Sequence, residues 1–409
     1  MKERAIYTDR IESFIDKPLV KVITGIRRSG KSGLMILLQQ QLRKRGVMDE
    51  QIVYLNYESL RWAAYRTYDT LYAYVDGVRP KDARCYLFID EIQEVSEWER
   101  AVNSMMVDWD VDIYITGSNS RLLSSELATY LAGRYVEFGV QPLSYSEFLQ
   151  FHGYEQPKGG ERIDRFDQYL RQGGFPMFHL YDYSDEEIYR AVRDIYSSVL
   201  LRDTVQRFSI RNIDMLERLV AFLYDNIGNT FSAASISRYM KSQGHSIDSE
   251  TLYNYLQALE SSFIIYRAKR YDIRGKELLR TNEKFYVADL SLIFCVRGYS
   301  PELIGGMLEN LVYIEMRRLG YEVYTGWMGA NEVDFVARCG DETIYLQVTE
   351  NMDAETTRER ELRPLQALKD NYPKYIVVNN PTAAGNLDGV RCMYIGDFLL
   401  EMETKQKRV

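Results

Sequence analysis

The fold of the first part of this chain is decided by the stretch Gly25-Ile26-Arg27-Arg28-Ser29-Gly30-Lys31-Ser32. Residues 19–24 are rich in β-branched side chains and predict a strand before it, while residues 33–43 predict a helix after it. Glycines at both ends of such a loop let backbone N–H groups approach phosphate oxygens, and the helix adds its positive N-terminus. A plain glycine-rich turn is the alternative, but the order strand, loop, helix favours a phosphate cradle.

Each position of the cradle has a predicted task toward ATP. Lys31 reaches the β- and γ-phosphates, and the hydroxyl of Ser32 holds Mg²⁺. The residues predicted to bind the nucleotide are Gly25, Ile26, Arg27, Arg28, Ser29, Gly30, Lys31, Ser32 and Gly33.

An apolar strand that ends in two acids supplies the second part of the predicted site. Residues 85–89 read Cys-Tyr-Leu-Phe-Ile and lead into Asp90 and Glu91. Asp90 is predicted to hold Mg²⁺ through water, and Glu91 to polarise the water that attacks the γ-phosphate. Such a pair after a strand also begins ordinary loops, so this prediction depends on the cradle.

Three further residues are candidates for the catalytic group. Ser118 and Asn119 follow a predicted strand at 111–116, and in a parallel sheet such residues face the ligand. A polar loop is the alternative for each of them, as it is for the weaker candidate Asn56. Arg134 comes next and is a candidate arginine finger, in its own subunit or a neighbouring one.

The chain resembles a known family in runs spread over nearly its whole length. These runs include GIRRSGKS, LFIDEIQ, ITGSNSRLL, AGRYVEF and PLSYSEFL, and later segments 173–176, 271–276, 284–290, 309–312 and 331–336. They resemble the AAA-type P-loop ATPases of bacteria and archaea that carry a C-terminal domain of unknown function. The resemblance implies ATP binding and hydrolysis, and it implies no biological task.

Composition limits the classes of protein that remain. The chain has 409 residues, of which 46% are hydrophobic, enough for several domains that each have a hydrophobic core. Its net charge of −8 means that the molecule as a whole is not attracted to DNA. No apolar run approaches the length of a membrane span, and the N-terminus lacks a secretory signal. With four scattered cysteines and three histidines, a zinc site is not expected, and the protein is expected to be cytoplasmic with no membrane partner.

The predicted fold class is α/β, with four parts along the chain. Residues 1–150 form an AAA-type P-loop NTPase domain around a parallel sheet, and residues 151–228 form a helical lid or linker. Residues 229–299 are predicted as a winged helix, because two short helices and a turn precede a strand pair. Residues 300–409 are predicted as a small α/β domain similar to restriction endonucleases.

The winged-helix segment carries a local basic surplus. Residues 264–284 contain three acids and seven basic residues, namely Arg267, Lys269, Arg270, Arg274, Lys276, Arg280 and Lys284. This surplus is where DNA phosphates would be contacted. Winged helices in such ATPases also serve as protein-binding modules, so DNA and a protein partner, including a second copy of the chain, both stay open.

The nuclease-like segment departs from the pattern it resembles. Asp334 occupies the first acidic position and Glu309 lies on a predicted helix, but the expected Glu-x-Lys reads Gln347-Val348-Thr349. A metal carboxylate and the activating lysine are therefore missing, and Glu350 lies on the other face of the strand. We expect a binding or assembly module without nuclease activity. The chain is then either an ATPase that moves this module or a slow nucleotide switch and scaffold.

Overall fold

The computed structural model describes residues 2–120, 131, 133–154, 157, 159–298, 300–329 and 331–406, without the side chains of 200–203, 280, 281 and 406. The described chain forms two compact units. The first contains the residues up to Gln141 together with Ser261–Phe263, and the second contains Pro142–Glu260 and Ile264–Val409.

The first unit is built on a parallel sheet. Its described strands are β1 (Val20–Thr24), β2 (Ile52–Asn56), β3 (Cys85–Asp90), β4 (Val111–Gly117) and β5 (Tyr135–Gly139), in the spatial order β2-β3-β4-β1-β5. This order places β1 beside β4, with Thr24 opposite Gly117, and β4 beside β3. The carboxyl ends of three strands therefore meet where the cradle begins, and the predicted α/β P-loop fold is confirmed.

Helices cover this sheet and shield its central strands from solvent. The helices are α1 (Ala5–Glu12), α2 (Lys31–Lys44), α3 (Tyr68–Val78) and α4 (Trp98–Asp108). Every residue of β1 and β3 is buried, as expected for parallel strands covered on both faces. Val22, Leu87 and Ile115 share one core cluster with Trp98 and Val102 of α4.

The second unit combines helices with a large mixed sheet. Its helices are α5 (Tyr145–His152), α6 (Gly160–Gln172), α7 (Asp185–Ser198), α8 (Ile213–Asp225), α9 (Ala233–Ser242), α10 (Ser249–Ser261), α11 (Ser291–Arg297), α12 (Ile304–Arg318), α13 (Glu355–Gln366) and α14 (Ile395–Gln406). A π-helical stretch, Val199–Gln206, follows α7. The start of α5 is set by a capping box, in which Ser144 and Glu147 each accept the other's backbone N–H.

Within the described residues, nine strands of the second unit form one sheet. They are β6 (Thr230–Phe231), β7 (Ile265–Asp272), β8 (Glu277–Val287), β9 (Glu322–Met328), β10 (Asn331–Cys339), β11 (Glu342–Thr349), β12 (Lys374–Val378), β13 (Gly385–Leu387) and β14 (Val390–Tyr394). The antiparallel hairpin of β7 and β8 joins the later strands through β9, which runs parallel to β7. One sheet thus crosses residue 299, where we predict a boundary between a winged helix and a nuclease-like domain.

The helices predicted as a lid pack within this second unit. Tyr189 of α7 contacts Phe294 of α11 with ring centroids 5.8 Å apart, and Asp225 of α8 pairs with Arg297 of α11. The assignment of residues 151–228 as a lid stays a prediction, as do the other domain boundaries. Within the described ranges, none of the helices is long and apolar enough to cross a membrane.

Candidate functional site

The phosphate cradle, residues 25–32, joins β1 to α2 and needs glycine at both Gly25 and Gly30. Gly25 has a φ of 139°, and a Cβ there would lie 2.1 Å from the carbonyl oxygen of Val140. Gly30 has a φ of 97° and is the N-cap of α2. Both conformations are left-handed and strain other residues. The predicted glycine positions are thus the ones that this loop geometry requires.

Lys31 is buried and turned into the loop. Its Nζ donates to the carbonyl oxygens of Gly25 at 2.9 Å and of Ile26 at 3.1 Å. The ammonium therefore lies inside the curve of the cradle, where a phosphate oxygen would meet it. Next along the loop, Arg27 pairs with Glu58 at 3.5 Å.

Arg4 supports the backbone of the cradle, a contact that the sequence does not predict. Its guanidinium is buried and donates to the carbonyl oxygen of Ser29 at 2.7 Å and to that of Gln141 at 3.0 Å. The guanidinium also lies over the ring of Tyr7, 4.7 Å from the centroid. Arg4 lies 25 residues before Ser29 in the chain, so no local motif points to this contact.

Asp90 is fully buried at the carboxyl end of β3, where both of its carboxylate oxygens accept hydrogen bonds. Oδ1 accepts from the hydroxyl of Thr116, and Oδ2 accepts from that of Tyr54 at 3.1 Å. Burial, and then the charge of Asp90, raises the pKa of Tyr54, so the tyrosine stays protonated and continues to donate. Asp90 is thereby held in one orientation.

Glu91 follows in the left-handed region, with a φ of 56°. Its backbone N–H donates to the Thr116 hydroxyl at 3.0 Å, and its Oε2 accepts from Ser118 Oγ at 3.3 Å and from the amide of Gln93. The structure thus brings the predicted Ser118 to the predicted Glu91. Gln93 and Thr116 are further contacts of the acidic pair that sequence reasoning did not single out.

Two of the remaining candidates lie beside this group. Asn119 is buried next to Ser118. Asn56 pairs in register with Asp90, but its side-chain oxygen accepts the backbone N–H of Glu58 at 2.9 Å. Asn56 therefore serves the turn after β2.

Arg134 lies at the other end of the sheet. It directly precedes β5, and its carbonyl oxygen accepts the N–H of Val20, the first residue of β1, at 2.8 Å. The cradle begins at the opposite end of β1. The exposed Arg134 side chain, 3.4 Å from Asn103, is therefore not gathered with Lys31, Glu91 and Ser118 in its own subunit.

The side chains at the cradle can supply only part of the coordination shell of Mg²⁺. Ser32 in the first turn of α2 and Asp90 offer a hydroxyl and a carboxylate, which suit a hard cation. Among the described residues, no group of three or more acidic, histidine or cysteine side chains is arranged to hold a metal. Mg²⁺ would therefore complete its coordination with nucleotide phosphates and water, as it usually does.

The second unit contains a polar cleft of about 830 Å³. Lys284 of β8 enters it and is only 4% exposed, with Nζ 2.9 Å from Glu332, 3.2 Å from Glu309 and 3.4 Å from Asp334. We call these four residues the Lys284 cluster. The structure thus brings the predicted pair Glu309 and Asp334 together, but around Lys284, which the sequence predicts to belong to a basic surface.

The other basic residues of the hairpin divide into paired and exposed. Arg267 is paired with Glu260 at 2.5 Å and Glu283 at 3.1 Å, and Arg270 lies 3.6 Å from the ring centroid of Trp327. The residues exposed to solvent are Lys269, Arg274 and Lys276. The side chain of Arg280 lies outside the described part of the chain. The exposed basic surface of this segment is therefore smaller than its composition suggests.

Comparison with known proteins gives matches along most of the chain. Residues 17–149 match the model of an AAA domain, and residues 163–303 match a domain of unknown function, DUF8612. An uncharacterized protein of Haemophilus influenzae is 36% identical over 98% of this chain and 99% of its own length. The uncharacterized protein MJ1544 of Methanocaldococcus jannaschii is 31% identical over 86% of this chain and 79% of its own length.

Solved structures give a looser likeness. The ORC1 protein of Aeropyrum pernix, in complex with DNA, aligns over 72% of this chain and 92% of its own, with 12% identity and a TM-score of 0.34. A superposition of this quality carries no argument about the task of the present chain.

Proposed function

Because this chain belongs to the family of AAA-type P-loop ATPases with a C-terminal domain of unknown function, we propose that it hydrolyses ATP with Mg²⁺ at the cradle between β1 and α2. Family membership supports nucleotide binding. The observation that carries hydrolysis is the pairing of Glu91 with Ser118 at the carboxyl edge of the sheet, next to the buried Asp90.

Each residue has a role in the proposed reaction. Lys31 and the backbone N–H groups of the cradle would bind the β- and γ-phosphates. Ser32, and Asp90 through water, would hold Mg²⁺, which would supply positive charge to neutralise the phosphoryl group. Glu91 accepts a proton from the attacking water. Ser118 and Asn119 contact Glu91 or the γ-phosphate, so that the position of the carboxylate depends on the bound nucleotide.

Replacement of Glu91 tests this proposal. Glu91→Gln keeps the size of the side chain but removes the base, so the kcat of phosphate release should fall by at least about 100-fold. Binding of a fluorescent ATP analogue should change little, because the cradle is intact. Hydrolysis at the wild-type rate by Glu91→Gln would remove Glu91 from the mechanism.

We further propose that the nucleotide state acts on the second unit and through it on DNA or a protein partner. The candidate DNA contacts are the exposed Lys269, Arg274 and Lys276 on the hairpin of β7 and β8. The ion pairs of Arg267 favour the alternative, a nucleotide switch for protein assembly, because they remove charge from this surface.

The effect of added DNA on phosphate release distinguishes these two functions. If the hairpin contacts DNA, a duplex or single strand should stimulate phosphate release, and Arg274→Ala/Lys276→Ala should lower the salt dependence of binding by about two phosphate contacts. Lys241→Ala/Lys369→Ala removes the same charge from exposed positions elsewhere in the second unit and serves as the control. Hydrolysis that is slow and insensitive to DNA, with no mobility shift at low salt, would favour the switch.

A further inference from the structure

The Lys284 cluster contains Glu309 and Asp334, the two acids that the sequence analysis predicts for the metal position of a restriction-endonuclease-like core. Such cores gather carboxylates around a metal that activates water. Here Glu309 comes from α12 and Asp334 from β10, and Glu332 lies two residues before Asp334 on the same strand.

The ammonium of Lys284 already occupies the point on which the three carboxylates converge. All three lie within 3.4 Å of Nζ, and a divalent cation bound by the same oxygens would come within bonding distance of that charge. Burial disfavours the charged lysine, but the carboxylates of Glu309, Asp334 and Glu332 outweigh it and raise the pKa of Lys284. Lys284 therefore stays positively charged.

The neighbouring strand offers no replacement ligand. Gln347 accepts the backbone N–H of Asp334 at 2.6 Å through Oε1 and donates to Glu361 at 2.8 Å through Nε2. The second oxygen of Asp334 accepts the N–H of Val348 at 2.9 Å. Both ends of Gln347 are thus engaged, so it is not free to act as a ligand. With the Lys284 ammonium at the point where the carboxylates converge, these residues do not fit a metal site.

We propose that the Lys284 ammonium takes the place of the divalent cation in this core, so that the cleft operates without bound metal. The ion pairs of Lys284 also connect β8 to α12 and β10. They therefore hold the β7–β8 hairpin, which carries the basic turn, against the strands and helix that follow it. A ligand of the cleft is then recognised by the polar side chains of its walls rather than by a metal ion.

Metal titration of the full-length chain without nucleotide tests this proposal. Wild type should show no Mn²⁺ binding that depends on Asp334, by calorimetry and by thermal shift. Lys284→Met leaves the carboxylates without their counterion, so the Tm should fall by several degrees and Mn²⁺ should restore it, with binding at least about 10-fold tighter than in wild type. Lys284→Met/Asp334→Asn should lose this rescue.

Lys369→Met is the matched control, since Lys369 is an exposed lysine of the same unit; its Tm and its Mn²⁺ titration should match those of wild type. Mn²⁺ binding by wild type that disappears in Asp334→Asn would overturn the proposal, as would a Lys284→Met variant of unchanged Tm. If Lys284→Met does not fold, Lys284→Met/Asp334→Asn should fold, because it removes one positive and one negative charge together. Failure of both would also contradict the proposal.

Discussion

Arg4 illustrates how much of a loop's geometry depends on a single distant side chain. The cradle is a backbone structure, and its carbonyl groups must point away from the phosphates so that its N–H groups can point toward them. Arg4 donates hydrogen bonds to the carbonyl oxygens of Ser29 and Gln141. The bond to Ser29 fixes the direction of a carbonyl group in the last part of the loop. Hydrogen bonds from a buried guanidinium are among the stronger ones in proteins.

Replacing Arg4 should therefore weaken nucleotide binding more than catalysis. We expect Arg4→Ala to raise the Kd for ATP by about tenfold, equivalent to about 1.4 kcal/mol, while the kcat at saturation changes less. Arg43→Ala is the control, because Arg43 is exposed and its ion pair with Asp49 lies on the surface. An Arg4→Ala protein that binds ATP as wild type does would show that the cradle holds its shape without this contact.

At the scale of elements, buried ionic groups connect the helices of the second unit. Arg318, near the end of α12, donates to Glu315 at 3.0 Å and to the carbonyl oxygen of Pro142 at 2.5 Å, and lies 3.8 Å from Glu147 of α5. Glu403 of α14 accepts from Ser144 at 3.0 Å. Glu315 thus lies beside one buried guanidinium and within electrostatic reach of two further buried carboxylates, Glu147 and Glu403, so the packing of these helices is expected to be sensitive to pH.

Glu315 should dominate that sensitivity. Burial raises its pKa to about 7, although Arg318 opposes the shift. The unfolded chain releases this proton at lower pH, near 4.5, so the stabilisation is complete below pH 4.5 and is lost as the pH rises to 7. Glu315→Gln cannot ionise, and its free energy of unfolding relative to wild type should increase across this interval by up to about 3 kcal/mol.

Denaturant unfolding of both proteins at several pH values measures this difference. Glu302→Gln is the control, since Glu302 is exposed just before α12, and its difference from wild type should not change with pH. A constant difference for Glu315→Gln as well would mean that folding does not raise the pKa of Glu315.

At the scale of the whole molecule, the position of Arg134 bears on oligomerisation. Arg134 lies at the edge where β1 and β5 begin, and the cradle lies at the edge where β1 ends. An arginine finger at this position is therefore possible only toward the nucleotide of a neighbouring subunit. We propose that the active ATPase is a homo-oligomer in which Arg134 of one copy completes the site of the next.

Mixing two inactive variants tests this arrangement. Arg134→Ala and Glu91→Gln should each have a low kcat, because each removes one component of every site. In a mixture, some interfaces combine an intact Glu91 with an intact Arg134, so activity should exceed the sum of the separate proteins. If Arg134→Ala alone hydrolyses ATP at the wild-type rate, the finger assignment fails; if mixing restores nothing, it does not act between subunits.

Much of the first unit was predictable because its signals are local. The strand, loop and helix around residues 25–32 follow from β-branched, glycine and helix-forming residues in sequence order, and β1 and α2 confirm them. Asp90 and Glu91 were found in the same way, since a buried parallel strand reads as a continuous apolar run. The proximity of Ser118 to Glu91 also follows, because parallel strands bring their carboxyl ends to one edge.

Sequence alone therefore determined the nucleotide-binding class of this chain and three strands of its parallel sheet, β1, β3 and β4. Only the tertiary structure decided that Arg4 supports the cradle, that Arg134 lies away from it, and that Lys284 lies among Glu309, Glu332 and Asp334. Lys284 is 25 residues from Glu309 and 50 from Asp334. The physical reason is range: backbone propensity and hydrophobic period act over a few residues, whereas the pairing of buried charges depends on which strands the whole sheet brings together.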